Sequence, residues 1–347
     1  MKSRIILAAA IAAGALASTS LPAFAGTGPK TTSFKIVPLV ANQTGKAPVV
    51  DPNLTNPWGM SQAPGGSSAI WVSDNQSGLS TLYKQGTGQI ESLVVTIPQG
   101  NPTGTVYVPP GGGFQVTENG NTDDSQFIFA SDTPGIISGW SPSVDANNAI
   151  IAVNEQAEGS QYKGLALDPK SELLFAANFT NNQVEIFNNQ FVKTGSFTDT
   201  TLKGYGPFNV AIINSEVYVT FAKLGKDGNQ VNGVGLGYVD IFSESGQLQT
   251  QLVKQGELDA PWGMTIAPST FGTFANALLV GNFGNGWIDA YNPTTGAFVG
   301  TLSTKKGKPI AIEGLWGLDP VPTGDVTFTS GPGNQQDGLM GLIKAVK

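Results

Sequence analysis

Three motifs of one design constrain this chain more than anything else in it: Asn56-Pro57-Trp58-Gly59-Met60, Ala260-Pro261-Trp262-Gly263-Met264 and Gly314-Leu315-Trp316-Gly317-Leu318. Looser copies are Pro102-Thr103-Gly104-Thr105, Tyr162-Lys163-Gly164-Leu165 and Pro207-Phe208-Asn209-Val210. The fourth position of the strong copies places the six at residues 59, 104, 164, 209, 263 and 317, spaced 45 to 60 residues apart. A repeat of that length marks an array in which each unit buries its apolar faces only by stacking on its neighbours.

Within each repeat the pattern has the period of β-strands bounded by turn residues. A second strand is expected at 69–74, 126–132, 173–178, 216–223, 277–282 and 325–330, and a third at 79–83, 136–140, 184–187, 238–242, 287–291 and 339–343. A fourth follows in five repeats, at 90–97, 149–153, 191–197, 248–253 and 298–302, but the sixth repeat runs out of chain. An unmatched strand, 34–40, stands near the other end. If the repeats close into a ring, that strand completes the last sheet and removes an open edge. The expectation is an all-β, six-bladed β-propeller closed by the N-terminal strand, a single domain over 34–347. A two-sheet sandwich is the alternative, though it explains neither the repeat nor the missing strand. Composition agrees with a turn-rich β fold: 45 Gly and 22 Pro stand beside 12% charged residues, which excludes a coiled coil or helical bundle.

The residues from Asp51-Pro52-Asn53-Leu54 through Trp58-Gly59, Trp71-Val72-Ser73-Asp74-Asn75 and Ser80-Thr81-Leu82-Tyr83 resemble a family of exported bacterial proteins. Tyr162-Lys163-Gly164-Leu165-Ala166, Asn276-Ala277-Leu278-Leu279-Val280-Gly281-Asn282-Phe283-Gly284 and Gly314-Leu315-Trp316-Gly317-Leu318 extend the resemblance over nearly the whole chain after residue 25. It implies a propeller similar to the NHL and gluconolactonase-like groups, and it brings no activity or catalytic residues with it.

The first 25 residues read as a secretory signal peptide. Lys2 and Arg4 precede an apolar run from Ile5 to Leu16, and Ala23-Phe24-Ala25 supplies the small residues for cleavage after Ala25. Residues 26–33 are then a short linker. The apolar run is shorter than the roughly 20 residues that span a bilayer, so a retained membrane anchor is the weaker reading. The expected location is secreted or periplasmic.

With 0 His and 0 Cys, the chain has no thiolate nucleophile, Ser-His-Asp triad, disulfide or His-based zinc site. Streptogramin-lyase-like chemistry would also call on a histidine. A net charge of −7 repels nucleic acid. What remains is carboxylate, Lys, Tyr and Ser/Thr chemistry, or calcium on oxygen ligands.

In a propeller whose first strand is innermost, the start of that strand and the end of the second share one mouth of the central channel. Candidate polar residues for that mouth are Asp74, Asn75, Asp132, Asn178, Lys223 and Asn282. The same residue types also serve tight turns, where they satisfy backbone groups. Trp58, Trp262 and Trp316, with Phe208, hold equivalent places in four blades. They read either as packing between blades or as flat surfaces for a sugar or other amphipathic ligand. Glu185, Asp240 and Asp289 recur inside the third strand, which fits structural hydrogen bonding. The 223–237 insertion should overhang this mouth; its Asp227-Gly228-Asn229 matches a calcium loop only faintly.

Two functions compete. One is a secreted binding module taking a small molecule, glycan or protein at the channel mouth. The other is a calcium-assisted hydrolase or lactonase, with Asp74 and Asp132 as candidate metal ligands. No motif demands a cofactor.

Overall fold

A computed structural model describes residues 32–65 and 68–346. The expected signal peptide lies outside the described residues, as does the linker except for its last two positions. Five repeats fold as antiparallel four-stranded meanders, the sixth supplies three strands of its sheet, and the six sheets form a β-propeller. Blade one comprises Pro57–Ser61, Ile70–Asp74, Leu79–Tyr83 and Ile90–Thr96, and the other blades repeat the order. Second and third strands are buried along almost their whole length, whereas the outermost strand is half exposed, as in Ile90–Thr96, where Val95 alone is buried. That gradient follows from sheets stacked face to face, with only the outer edge in water.

The ring closes through its termini. Ser33–Ala41 pairs antiparallel with Leu339–Val346, from Ser33 opposite Val346 to Ala41 opposite Leu339. Phe34 fastens this strand to blade five: its amide donates to the Ser303 carbonyl at 2.9 Å, and its ring centroid lies 4.9 Å from that of Phe271.

An apolar cluster fills the space between each neighbouring pair of blades. Between blades one and two, for instance, Trp71 and Leu82 meet Phe127, Phe129 and Trp140. Two hairpin-like additions escaped the sequence pattern. Gln115–Glu118 pairs with Asn121–Asp124 inside blade two, and Gln230–Val231 folds back on Lys223–Leu224 in blade four.

The repeated glycine has a steric cause. A Cβ on Gly59 would stand 2.6 Å from the Thr103 carbonyl oxygen, one on Gly104 2.5 Å from the Leu165 amide, and one on Gly263 2.4 Å from the Trp316 carbonyl. Innermost strands converge on the axis, and only glycine lets one backbone approach the next so closely. In blade four Asn209 replaces the glycine and uses its side chain instead, donating Nδ2 to the Trp262 carbonyl at 2.9 Å.

Candidate functional site

The first strands line the axis, and the two ends of that axis differ. At the end where these strands begin, Trp58, Phe208, Trp262 and Trp316 point inward and pack with Phe179 into one buried cluster. Trp58 stacks on Trp316 with centroids 3.5 Å apart, Trp262 meets both edge-on at 5.9 and 5.8 Å, and Phe283 stacks on Trp316 at 4.2 Å. Their exposures of 3, 4 and 0% for Trp58, Trp262 and Trp316 leave no aromatic face for a sugar. The tryptophans fill the axis, because four large rings directed at one line exclude everything else. The indole N–H groups of Trp262 and Trp316 donate at 2.9 Å to the Lys163 carbonyl and to Asn56 Oδ1.

Lys163 stands in the tryptophan position of blade three. Its Nζ lies 5.5 Å from the Trp58 ring centroid and 3.0 Å from Asp132 Oδ2, so the cation is held between a ring face and a carboxylate.

The six polar candidates occupy two kinds of place. Strand register makes Asp74, Ser131, Asn178, Phe221, Asn282 and Ser330 the equivalent set, each opposite the residue before the aromatic position. Asp74, Asn178 and Asn282 are wholly buried inside their blades and bond to the third strand. Thr81 Oγ1 donates to Asp74 at 2.6 Å, Asn178 Nδ2 to Glu185 at 3.0 Å, and Asn282 Nδ2 to Asp289 at 2.8 Å. The amide oxygens of Asn178 and Asn282 accept the Gln161 and Asp259 backbone N–H groups. One amide thus satisfies an acid within the blade and the backbone entering it.

Asn75 and Asp132 lie one residue beyond this set, and Lys223 two beyond. Asn75 is buried, accepting from Asn56 Nδ2 and donating to the Pro102 carbonyl, both at 3.2 Å. Lys223 sits over the Tyr205 ring, 4.9 Å from its centroid. The 223–237 loop reaches toward Gln161 and Thr180 of blade three, and its Asp227 accepts from the Asn229 backbone and side chain at 3.2 Å. The polar candidates are therefore spread through turns and blade interiors rather than gathered around an opening. Among the described residues no group of three or more acids is placed to hold a metal ion.

Electrostatics follows burial. Desolvation holds the Asp74 carboxyl well above its ordinary value and pushes Asp289 up to about 6. Burial also pushes Glu185 up, but hydrogen bonds from Tyr162, Lys193, Asn178 and Gln183 outweigh it and leave this acid below its usual range.

At the opposite end, where the first strands finish, the axis is open. A cavity of about 260 Å³ is lined by the second halves of all six first strands. The residues there are partly exposed, among them Met60, Ser61, Val106, Ala211 and Asp319, whereas the strand beginnings are buried. Asp319 was not singled out in the sequence. A signal was present: two residues past the six markers stand Ser61, Val106, Ala166, Ala211, Thr265 and Asp319, a small or apolar position with one acid.

The fold and the axis define a six-bladed propeller whose channel is stoppered by aromatic rings at one end and open at the other. No family model matches the chain. It belongs to the same family as Uncharacterized protein R648 of Acanthamoeba polyphaga mimivirus, 31% identical over 331 residues that cover 90% of this chain and 80% of the relative. Uncharacterized protein L690 of the same virus is 29% identical over 330 residues, 90% of this chain and 86% of that one. Both relatives are viral, so the bacterial origin suggested by the sequence resemblance remains an expectation.

Solved structures share the fold at low identity. Virginiamycin B lyase from Staphylococcus aureus has a TM-score of 0.54 and 12% identity, covering 89% of this chain and 99% of that one. A glucose dehydrogenase gives 0.55 and 12%, covering 90% and 99%, and a luciferin-regenerating enzyme 0.54 and 11%, covering 84% and 92%.

Proposed function

We propose that this chain is an exported binding propeller whose ligand site is the blind axial channel, entered where the first strands end. The observation that carries this reading is the asymmetry of the axis: stacked rings fill one end, and an open cavity of about 260 Å³ occupies the other. The mouth chosen from sequence is the stoppered one, so the proposed site moves to the opposite face. Binding pockets combine apolar walls with a few placed polar groups. Here Met60, Leu165, Met264 and Leu318 supply the walls, while Asn209, Asp319 and the buried, unpartnered Thr105 Oγ1 supply polarity. The volume falls below the roughly 300–1,000 Å³ of drug-sized sites, which favours a small ligand over a glycan chain. Export rests on the signal-peptide pattern of residues 1–25, with processing after Ala25.

Met60 and Met264 line the channel, whereas Met340 is buried within blade six, so methyl-labelled methionines report on the site with an internal control. Titration with hexan-1-ol, a small neutral amphiphile, should shift the Met60 and Met264 methyl resonances saturably and leave Met340 in place. Absence of saturable shifts at both channel methionines, with hexan-1-ol and with its amine counterpart hexylamine alike, overturns the reading.

A further inference from the structure

Among the described residues, Asp319 is the one charged residue that lines the channel, and the six first strands contribute no lysine or arginine to its wall. Its place in the repeat is held by Ser61, Val106, Ala166 and Ala211 in blades one to four, and each of these also lines the channel. The acid is thus set by the fold into a ring of small side chains facing a narrow space lined by apolar side chains together with Ser61, Thr105, Asn209 and backbone groups. Among the described residues its carboxyl has no hydrogen-bond or ion-pair partner, in contrast to Asp74, Asp289 and Glu185 inside the blades. A carboxylate drawn part-way out of water with no partner is costly unless something compensates it, and a ligand bringing a positive charge does so.

Resting on the channel reading above, we propose that the channel is selective for small amphipathic organic cations, such as primary alkylamines, with the ammonium group paired to Asp319 and the alkyl part against Met60, Leu165, Met264 and Leu318. The arrangement fixes polarity as well as charge. Asp319 belongs to the partly exposed end of its strand, while the rings of Trp58, Trp262 and Trp316 close the far end. The ammonium group therefore binds near the opening and the chain points inward. A divalent metal is disfavoured by the same geometry, since one carboxylate with the side-chain oxygens of Ser61, Thr105 and Asn209 falls short of the six to eight oxygens calcium takes.

Desolvation alone raises the Asp319 carboxyl to about 7, so near neutral pH it is in part protonated before a ligand arrives. Pairing with an ammonium group favours the ionised form, so binding near neutral pH should release protons.

The probes are hexylamine and hexan-1-ol, matched in chain length, titrated into the full chain with methyl-labelled methionines and, separately, into weakly buffered solution to count protons. The expected result is that hexylamine binds at least tenfold more tightly than hexan-1-ol, with proton release on amine binding only. Asp319→Asn should bring the two ligands to parity, with unshifted Met340 signals showing that the variant is folded. Equal affinity for amine and alcohol in the natural chain overturns the cation assignment and leaves the channel reading standing. If neither probe moves Met60 or Met264, the channel reading itself fails and this inference falls with it. If Asp319→Asn does not fold, Asp319→Ser, the residue that blade one carries at this place, takes over: a preference for amine over alcohol that survives it overturns the proposal.

Discussion

The indole of Trp58 lies on that of Trp316 with ring centroids 3.5 Å apart and planes inclined by 19°, joining the first blade to the last across the axis. The same two blades are also joined where the Thr329 side-chain hydroxyl donates to the Trp58 backbone carbonyl at 2.5 Å. Ring closure is therefore made twice: at the rim by Ser33–Ala41 against Leu339–Val346, and at the hub by stacked rings. The hub contact explains why tryptophan recurs in blades one, five and six, which are neighbours around the ring. A tryptophan from each reaches the same point.

Removing the central ring should be costly. Trp316→Ala deletes a fully buried indole that contacts Trp58, Trp262, Phe208 and Phe283. The expected loss is about 3–5 kcal/mol in denaturant unfolding, as for large aromatic-to-alanine changes in packed cores. Trp316→Phe should lose less. A loss within 1 kcal/mol for the alanine variant would show that the plug is packed too loosely to close the channel.

Glycine at the hub should tolerate nothing larger. Gly104→Ala puts a methyl 2.5 Å from the Leu165 amide nitrogen, a backbone atom that gives way only if two blades separate. We expect roughly 1–3 kcal/mol of destabilisation from overpacking. Gly195→Ala is the control: it lies in an outer strand where the nearest atom, Ile186 Cδ1, is 3.8 Å from the new Cβ, and it should change stability by about 0.5 kcal/mol or less. Equal effects at the two glycines would refute the steric account of the repeat.

That account also explains which parts of the molecule were legible in the sequence. The marker glycines and their aromatic neighbours obey a constraint repeated six times around one axis, so the period, the blade count and the borrowed strand 34–40 all showed in the pattern. The candidate site depended on direction instead. Trp58 and Trp262 have the composition of a ligand platform, and only the convergence of the strands reveals that their rings meet one another. Lys223 shows a second limit: the end of the second strand in blade four runs past its repeat equivalent, and register places Phe221, not Lys223, level with Asp74. Asp319 was within reach, since an acid at a position otherwise small or apolar is visible once the repeats are superposed.

The N-terminal strand should be indispensable for stability. Phe34→Ala removes a ring that is 2% exposed and packs on Phe271 and Phe274 in blade five. The expected cost is about 3–5 kcal/mol. Deleting residues 32–41 should do more, leaving Leu339–Val346 as an unpaired edge and promoting association between molecules. Light scattering and thermal unfolding of the deletion read both effects; a monomeric variant with unchanged midpoint would contradict closure as a source of stability.

Stability should fall between acid and mildly alkaline pH, and Asp240 is one of the buried acids, with Asp74, that require it. In blade four the amide that serves Glu185 and Asp289 elsewhere is replaced by Phe221, and both carboxyl oxygens of Asp240 are buried with no donor bonded to them, so this acid bonds Asp199 only by keeping its proton. Burial, reinforced by the nearby Asp199 carboxylate, pushes Asp240 up to about 8. Asp199 itself is pushed up by burial but held lower on balance by hydrogen bonds from Gln251 and Thr201, so the proton belongs on Asp240. The folded chain thus keeps a proton that the unfolded chain releases above about pH 4. Because the unfolded state binds fewer protons in this window, stability declines as pH rises from about 4 to 8 and levels off above it, a change on the order of several kcal/mol if Asp240 acts alone. Asp289 and Asp319, raised to about 6 and about 7, act with the same sign over narrower windows. Asp240→Asn removes the largest of these contributions and supplies an amide that can donate to Asp199. Urea unfolding at pH 5 and pH 8 should show the variant gaining on the natural chain as pH rises, with the greater stability at pH 8. Parallel pH profiles for the two would mean that Asp240 is ionised in the folded protein and that its carboxyl has found a partner.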